Sequence, residues 1–384
     1  MKRRKFLKIA GSAAVIVAAG GVGFVATRTP ADALKPWGDA GSSIYTDPLR
    51  RALSYAILAP NPHNRQPWVV DLKSETEAVL ICDLNKLLPV TDPFSRQIVI
   101  GLGCFLELFT LAAVDQGYQA DISYFPNGEP GKDLDHRPIA RLKLTKKTNR
   151  KSDPLFAYAL SRHTDRNPYD SERPISNDVI RRLLDAPSAH VRVGAATTGK
   201  DLQDLRVLTR DAMFDEIGSP EAFQESIDLM RIGRREIEAN PDGITLGGAF
   251  LETLNLAGIL TRENLADIQS QSYQIGLDMV DEGAMSSMGF VWINTEDNGR
   301  TAQIEAGRAY MRVALQVAAE GLAMQPMSQA LQEYEAMVPY YNTIHDRFTN
   351  QSGERMQMLA RLGFAKKKVD PSPRWPLETK IMGV

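Results

Sequence analysis

Cysteine and histidine are nearly missing from this chain: two and five residues in 384. The two cysteines, Cys82 and Cys104, do not stand at metal-clip spacing, so zinc-finger, iron–sulfur and disulfide-scaffold architectures are excluded. An excess of one charge is also lacking, with 45 basic and 47 acidic residues. Aromatic residues make up only 7% and do not interleave with basic clusters, and the run KKTNRK at 146–151 reads as a solvated linker. A nucleic-acid partner, which needs gathered Lys and Arg for phosphate contacts, is therefore not expected. With 43% hydrophobic and 24% charged residues, the remainder has the make-up of a folded globular chain, long enough for one large domain or two ordinary ones.

The one long uncharged run of membrane-spanning character is at the N-terminus. KRRKFLK at 2–8 precedes eighteen uncharged residues at 9–26, and ADA follows at 31–33. This basic, apolar, small-residue order is that of an export signal over 1–33, with cleavage expected after Ala33. The pair Arg3-Arg4 followed by Phe6-Leu7-Lys8 resembles a twin-arginine signal, which implies the export machinery that carries folded proteins and a periplasmic location. The alternative is a retained membrane anchor. Without residues 1–33 the chain keeps 39 basic and 46 acidic residues, a net charge of −7.

The pattern of 45–59 predicts a helix opened by Thr46 or Asp47 and halted at Pro60 and Pro62. Strands are expected at 67–73, 78–83, 119–125 and 138–144, with a long buried helix at 95–117. The second half, from 161, predicts a helix from Ser176, a strand at 190–196, charged helices over 199–239, a core strand at 286–295 and a second long buried helix at 300–320. Residues 240–285, with Gly243, Gly247, Gly248 and Gly258 among short apolar runs, read as an inserted flap. Gly103, Leu111 and Gly117 recur at the spacing of Gly307, Leu315 and Gly321. Two long helices in like surroundings indicate an internal duplication.

Two segments suggest chemistry. In APNPHNRQPW, 59–68, a proline-stiffened loop presents Asn64 and Gln66, suited either to a flat heterocycle or to satisfying local backbone groups. In RHTDR, 162–166, Arg162, Thr164 and Arg166 are suited to a phosphate monoester; alternatively the stretch is a solvated turn with Asp165 neutralising one arginine.

Together the segments resemble the nitroreductase family of FMN-binding oxidoreductases. Its loop pattern Pro-Ser-x-x-Asn-x-Gln-Pro-Trp is met by Asn64, Gln66, Pro67 and Trp68, with Asn61 in place of the serine. Its Arg-x-Ser/Thr-x-Arg motif is met by Arg162, Thr164 and Arg166, its Gly-Leu and Pro-containing strand by Gly321-Leu322 and QPMSQ at 325–329, and its late arginine by Arg374. The likeness spans most of 45–380 and is similar to the Acg-type branch, in which two such units are fused and one complete flavin site survives. The resemblance implies that Arg162, Thr164, Arg166 and Arg374 hold the FMN phosphate. Asn61, His63, Asn64 and Gln66 would line the ring or ribityl chain, and the backbone of Met327, Ser328 and Gln329 would approach the N5/O4 edge. No side chain is required as acid or base.

The expected fold is α+β: a nitroreductase-like central antiparallel sheet flanked by helices, duplicated as a single-chain pseudo-dimer with halves at 34–160 and 161–384. The expected function is that of an exported FMN-dependent oxidoreductase passing two electrons to a small-molecule acceptor of quinone or nitroaromatic type. An FMN-sequestering protein without turnover is the alternative. The membrane is met only through the signal, if uncleaved. His136, His190 and His345 lack ligand spacing and the methionines from Met324 to Met358 suit adaptable packing, so no metal site is expected. Cys82 and Cys104 read as core residues, with a disulfide open to them if the fold brings them together.

Overall fold

The computed structural model describes residues 27–147, 151–187 and 191–383. Most of the expected signal, and His190, lie outside the described residues. The chain enters through α1 (Ala31–Asp39) and α2 (Pro48–Ala56). Asp47 caps α2, its carboxylate accepting from the Arg50 N–H at 2.8 Å, and Pro48 supplies a pre-set first turn. β1 (Trp68–Leu72), β2 (Glu77–Cys82), the long helix α3 (Arg96–Asp115), β3 (Tyr118–Tyr124) and β4 (Ala140–Lys146) follow. The sheet order is β1-β2-β4-β3, antiparallel throughout.

The second half opens with α4 (Asn177–Asp185), capped by Ser176, and β5 (Arg192–Ala196). Then come α5 (Gly199–Gly218), α6 (Pro220–Asp228), β6 (Met230–Ile232), α7 (Gly233–Ala239), β7 (Ile244–Leu246), α8 (Ala249–Leu256), α9 (Arg262–Ala266) and α10 (Gln271–Met285). β8 (Gly289–Thr295), the long helix α11 (Arg300–Ala319), β9 (Ala323–Pro326), α12 (Val338–Phe348) and β10 (Arg355–Gly363) complete it. Its sheet order is β5-β8-β10-β9, again antiparallel. Both sheets thus run first, second, fourth, third, with a long helix between the second and third strands, so each half carries its own sheet. Everything from α5 to α10 is inserted between two neighbouring strands of the second sheet, and 240–285 holds β7 and three helices.

The halves meet at the two long helices. A Cβ on Gly103 would lie 2.2 Å from the Ile304 carbonyl oxygen, and one on Gly307 would lie 2.0 Å from that of Ile100. The contact is reciprocal: Gly103 corresponds to Gly307 and Ile100 to Ile304 at one constant interval, which is the self-complementary pattern of a two-fold interface. Arg96 and Arg300 keep the same interval and the same habit of reaching across. Arg96 donates to the carbonyls of Gln357 (2.7 Å) and Leu331 (2.8 Å) in the second half. Arg300 donates to those of Phe94 (2.7 Å) and Gly131 (3.0 Å) in the first. The C-terminal segment also crosses, Ile381 bridging to Val70 in β1, while Thr164, just past the junction of the halves, bridges to Met324 in β9.

Cys82 and Cys104 are both buried and free, so the disulfide left open by the sequence is not formed. Burial pushes both thiols up to about 12. Gly103→Ala has a clear expected outcome. In an ordinary helix interior alanine gains about 0.5–1 kcal/mol over glycine. Here the added methyl meets backbone, so the variant should lose about 1–3 kcal/mol, and Gly307→Ala the same, read as a lowered midpoint in urea unfolding.

Candidate functional site

The loop joining α2 to β1 is held in an unusual backbone state. His63, Asn64 and Gln66 have φ of 45°, 53° and 51°, left-handed values that cost a non-glycine residue on the order of 1 kcal/mol or more each. Buried hydrogen bonds hold the loop there. Asn61 Oδ1 accepts from the Gln66 N–H at 2.6 Å, while its Nδ2 donates to the Ala59 carbonyl. Asn64 Nδ2 donates to the Pro373 carbonyl at 3.0 Å. Gln66 is wholly buried, its Nε2 donating to the Pro241 carbonyl at 2.6 Å and its Oε1 accepting from the Trp375 N–H at 2.9 Å. The amides of Asn64 and Gln66 tie the loop to the C-terminal segment and to the stretch before β7, bonds to distant rather than local backbone.

Arg162 and Arg374 converge on the carbonyl end of α2. The Arg374 guanidinium donates to the carbonyls of Ile57, Leu58 and Ala59 at 2.9, 3.0 and 3.1 Å and to Asn64 Oδ1 at 2.7 Å. Arg162 donates to the same Leu58 carbonyl at 3.3 Å, and its Nε is buried without a partner. Both side chains are buried, and no carboxylate pairs with either among the described residues. Burial and then the Arg162 charge push Arg374 down to about 9. Asp165, the neighbour that might have neutralised an arginine, instead accepts from the N–H and Nδ2 of Asn167. Two buried cations whose acceptors are neutral carbonyl and amide oxygens are suited to an anion.

His163 stands between the motif arginines in sequence and adds to the cluster. Its ring meets Trp37 edge-on at 5.2 Å, and its Nδ1 is buried without a partner. Burial, with the charges of Arg162, Lys368 and Arg374, pushes it down to about 4. Trp37 also lies 5.5 Å from the Arg374 guanidinium. Arg166 is not brought into this cluster: it donates to the Thr245 carbonyl at 3.3 Å, in β7. Thr164 makes the bridge to Met324, which sets the motif against β9.

His63 is held down at about 4, chiefly by burial, with contributions from Arg65 and Arg166 opposed by Glu225. Glu225 acts on Glu216 as well, so the loop and the end of α5 face a common region. Glu216 is buried and raised to about 7 by that burial; its Oε1 accepts from Gln329 Nε2 at 3.4 Å, and its Oε2 has no partner. Gln329 Oε1, Gln332 Oε1 and Tyr334 Oη are likewise buried and unpartnered. Met327 is buried, its N–H donating to the Leu359 carbonyl at 2.8 Å, and Ser328 opens the turn that carries Gln329. Behind Glu225 an open groove of about 660 Å³ runs between Leu87–Val90 and α6; the arginine pair does not line it.

The expected site residues therefore do not all meet. Arg162, Arg374, Asn61, Asn64 and Gln66 share one network around the loop that also carries His63; Met327, Ser328 and Gln329 belong with Glu216; and Thr164 and Arg166 pair with β9 and β7. Sequence reasoning missed Trp37, His163 and Glu216. The flanking arginines were the one signal for His163, and nothing sets Glu216 apart among the acids of α5. His345 is structural, Nε2 accepting from the Met356 N–H and Nδ1 lying 2.7 Å from the Tyr341 carbonyl.

No family model matches the chain. Two Mycobacterium tuberculosis proteins, each named "Putative NAD(P)H nitroreductase", are similar to it nearly end to end. Rv3131 is 25% identical over 337 residues, 85% of this chain and 88% of its own length. The protein acg is 22% identical over 346 residues, 87% and 94% respectively. Among solved structures, the FMN-dependent nitroreductase NfnB of Mycobacterium smegmatis in complex with NADPH aligns with 57% of this chain and 92% of its own, at 15% identity and a TM-score of 0.34.

The depressed histidines make stability depend on pH in a set direction. Above about 6.5 both folded and unfolded forms hold neutral imidazole and the folded form is unpenalised. Between 6.5 and about 4 the unfolded chain binds protons that folded His63 and His163 refuse, so stability falls as pH falls. Urea midpoints taken from pH 7.5 to 4.5 should drop, and His163→Gln should flatten that slope by up to about 1.4 kcal/mol per pH unit. An unchanged slope would show that His163 is freely protonated.

Proposed function

We propose that this chain is an FMN-dependent oxidoreductase of the nitroreductase kind, exported in folded form, that passes two electrons to quinone- or nitroaromatic-type acceptors. The observation that carries the reading is the buried pair Arg162 and Arg374, gathered with His163 and left without any acid. A phosphate monoester matches that deficit: it supplies the missing charge and acceptors for the orphaned Arg162 Nε and, once protonated, for His163 Nδ1. The near end-to-end similarity to the two mycobacterial proteins supports the same assignment.

FMN, when bound, supplies the hydride and electron chemistry. The protein's part is to hold and to shield. Arg162, His163 and Arg374 would hold the phosphate, with Thr164 fixing the motif's register against β9. His63, on its left-handed backbone, and Asn61 would border the ring or ribityl side. Asn64 and Gln66 act one step back, clamping the loop to residues 372–375 and 241. Gln329, oriented by Glu216, would bring its turn to the ring edge. Uncharged imidazole at His63 and uncharged carboxyl at Glu216 below pH 7 keep extra charge away from that edge.

The sequestering alternative has one observation in its favour. The stretch leading into β7 closes directly on the loop: Pro241 accepts from Gln66, Gly243 N–H donates to the Asn64 carbonyl, and Thr245 accepts from Arg166. A cover at this place would leave little room for a stacked nicotinamide, which needs the reacting carbon about 3–3.5 Å from its acceptor.

Two outcomes follow. Purified protein should hold one FMN per chain, and Arg162→Ala should weaken FMN binding by on the order of 10- to 100-fold, one charge-assisted contact of about 1.5–3 kcal/mol. Riboflavin, lacking the phosphate, should bind the variant and parent almost alike in fluorescence titration; equal loss for both ligands would mean that Arg162 only supports the fold. In anaerobic stopped-flow, NADH and NADPH should bleach the flavin slowly and dithionite rapidly. Reoxidation of the dithionite-reduced protein by a soluble quinone would establish turnover, and failure with every quinone and nitroaromatic would favour sequestration.

A further inference from the structure

The stretch that follows the apolar run 9–26 is part of the folded body. The Thr27 carbonyl accepts from Arg234 at 3.0 Å, and Arg28 pairs with Glu252 at 3.0 Å. Ala33, the residue expected to precede the cut, lies inside α1 with 3% exposure, and its carbonyl accepts from the Arg374 N–H at 2.8 Å. Four residues on, the Trp37 indole donates to the Ser372 carbonyl at 2.9 Å. Proteolytic cuts fall in exposed, unstructured backbone. A chain that folds before export presents ADA already helical, with Ala33 itself packed.

The same stretch shows which surface faces outward where the run ends. Thr27 and Arg28 lie beside α8, whose one charged residue, Glu252, is turned inward, its Oε2 on Arg28 and its Oε1 accepting from the Arg234 N–H. From 249 to 260 the sequence AFLETLNLAGIL has no other charge. Phe250 and Leu256 are 42% and 73% exposed. Two exposed apolar side chains, one near each end of a short helix with no outward charge, at the point where an eighteen-residue uncharged run joins the fold, fit a lipid surface. The segment that follows also exposes Ile268 and Met279, but sets them among Glu263, Asp267 and Asp278.

We propose that the signal is retained as a membrane anchor and that α8 rests on the lipid surface beside it, an inference that depends on the export reading above. The bilayer, not a protein, covers Phe250 and Leu256. The flavin site is thereby held near the membrane, since α1, which continues from the anchor, carries Trp37 into the arginine cluster.

The test uses the full chain produced with its own N-terminus, beside an Arg3→Lys/Arg4→Lys variant. The expected result is an intact mass that includes residues 1–33, recovered from the membrane fraction and accessible from the outer side. A mass lacking 1–26 or 1–33, in soluble exported protein, overturns the anchor and leaves the export reading standing. Full-length parent confined to the cytoplasm, like the double-Lys variant, overturns the export reading and the anchor with it. The lipid contact is read by a carbene photolabel dissolved in vesicles of phosphatidylethanolamine and phosphatidylglycerol. Peptides covering 249–260 should label at least fivefold more than those around the exposed controls Ile44 and Val338. Phe250→Asp with Leu256→Asp should bring labelling to the control level while the chain stays anchored. Control-level labelling of the parent overturns the contact of α8 with lipid.

Discussion

The close crossing of two helices at Gly103 and Gly307 is the contact on which the rest of the molecule depends. Each glycine lets the carbonyl of the opposite helix approach to a distance no side chain allows, so the two halves pack backbone to backbone. From that crossing the reach of Arg96 into the second half and of Arg300 into the first follows by symmetry. So does the path of the connecting segments, which brings Arg162, beyond β4 of the first sheet, and Arg374, beyond β10 of the second, to one carbonyl past the end of α2. Had the helices stood farther apart, the two guanidiniums would not share Leu58.

Charge, not shape, distinguishes the site. A fold that buries two guanidiniums and a histidine without an acid carries a standing electrostatic cost, and so does a loop with three left-handed non-glycine residues. Both costs fall in the same place, where the amides of Asn61, Asn64 and Gln66 and the carbonyls of 57–59 hold the parts together. Strain and unbalanced charge kept in register point to a ligand that relieves the second. The open groove behind Glu225 has neither property.

Much of the fold was legible in the residues. Asp47 opened α2, which ends at Ala56, short of the prolines expected to halt it, the repeated glycines disclosed the duplication, and the arginine motif supplied Arg162, though not Arg166, to the buried cluster. The limits were physical. β10 escaped because Arg355, Gln357 and Arg361 give it a polar look, yet Arg361 is buried, its guanidinium 4.0 Å from the Tyr169 ring and donating to the Gly283 carbonyl. Glu216 escaped because helix periodicity does not say that one acid among several will be enclosed by an insertion packed from elsewhere in the chain. Whether Asn64 and Gln66 faced a ligand or the backbone depended on where residues 241 and 373–375 would lie, which local sequence does not contain.

The bond from the Arg374 N–H to the Ala33 carbonyl joins the beginning of the described chain to its end. The two residues lie on either side of both sheets in sequence, so this bond forms only after both halves have been made, and Arg374 reaches the carbonyls of 57–59 only then. The cluster is therefore completed late in folding, at a stage that a chain interrupted before residue 374 does not reach.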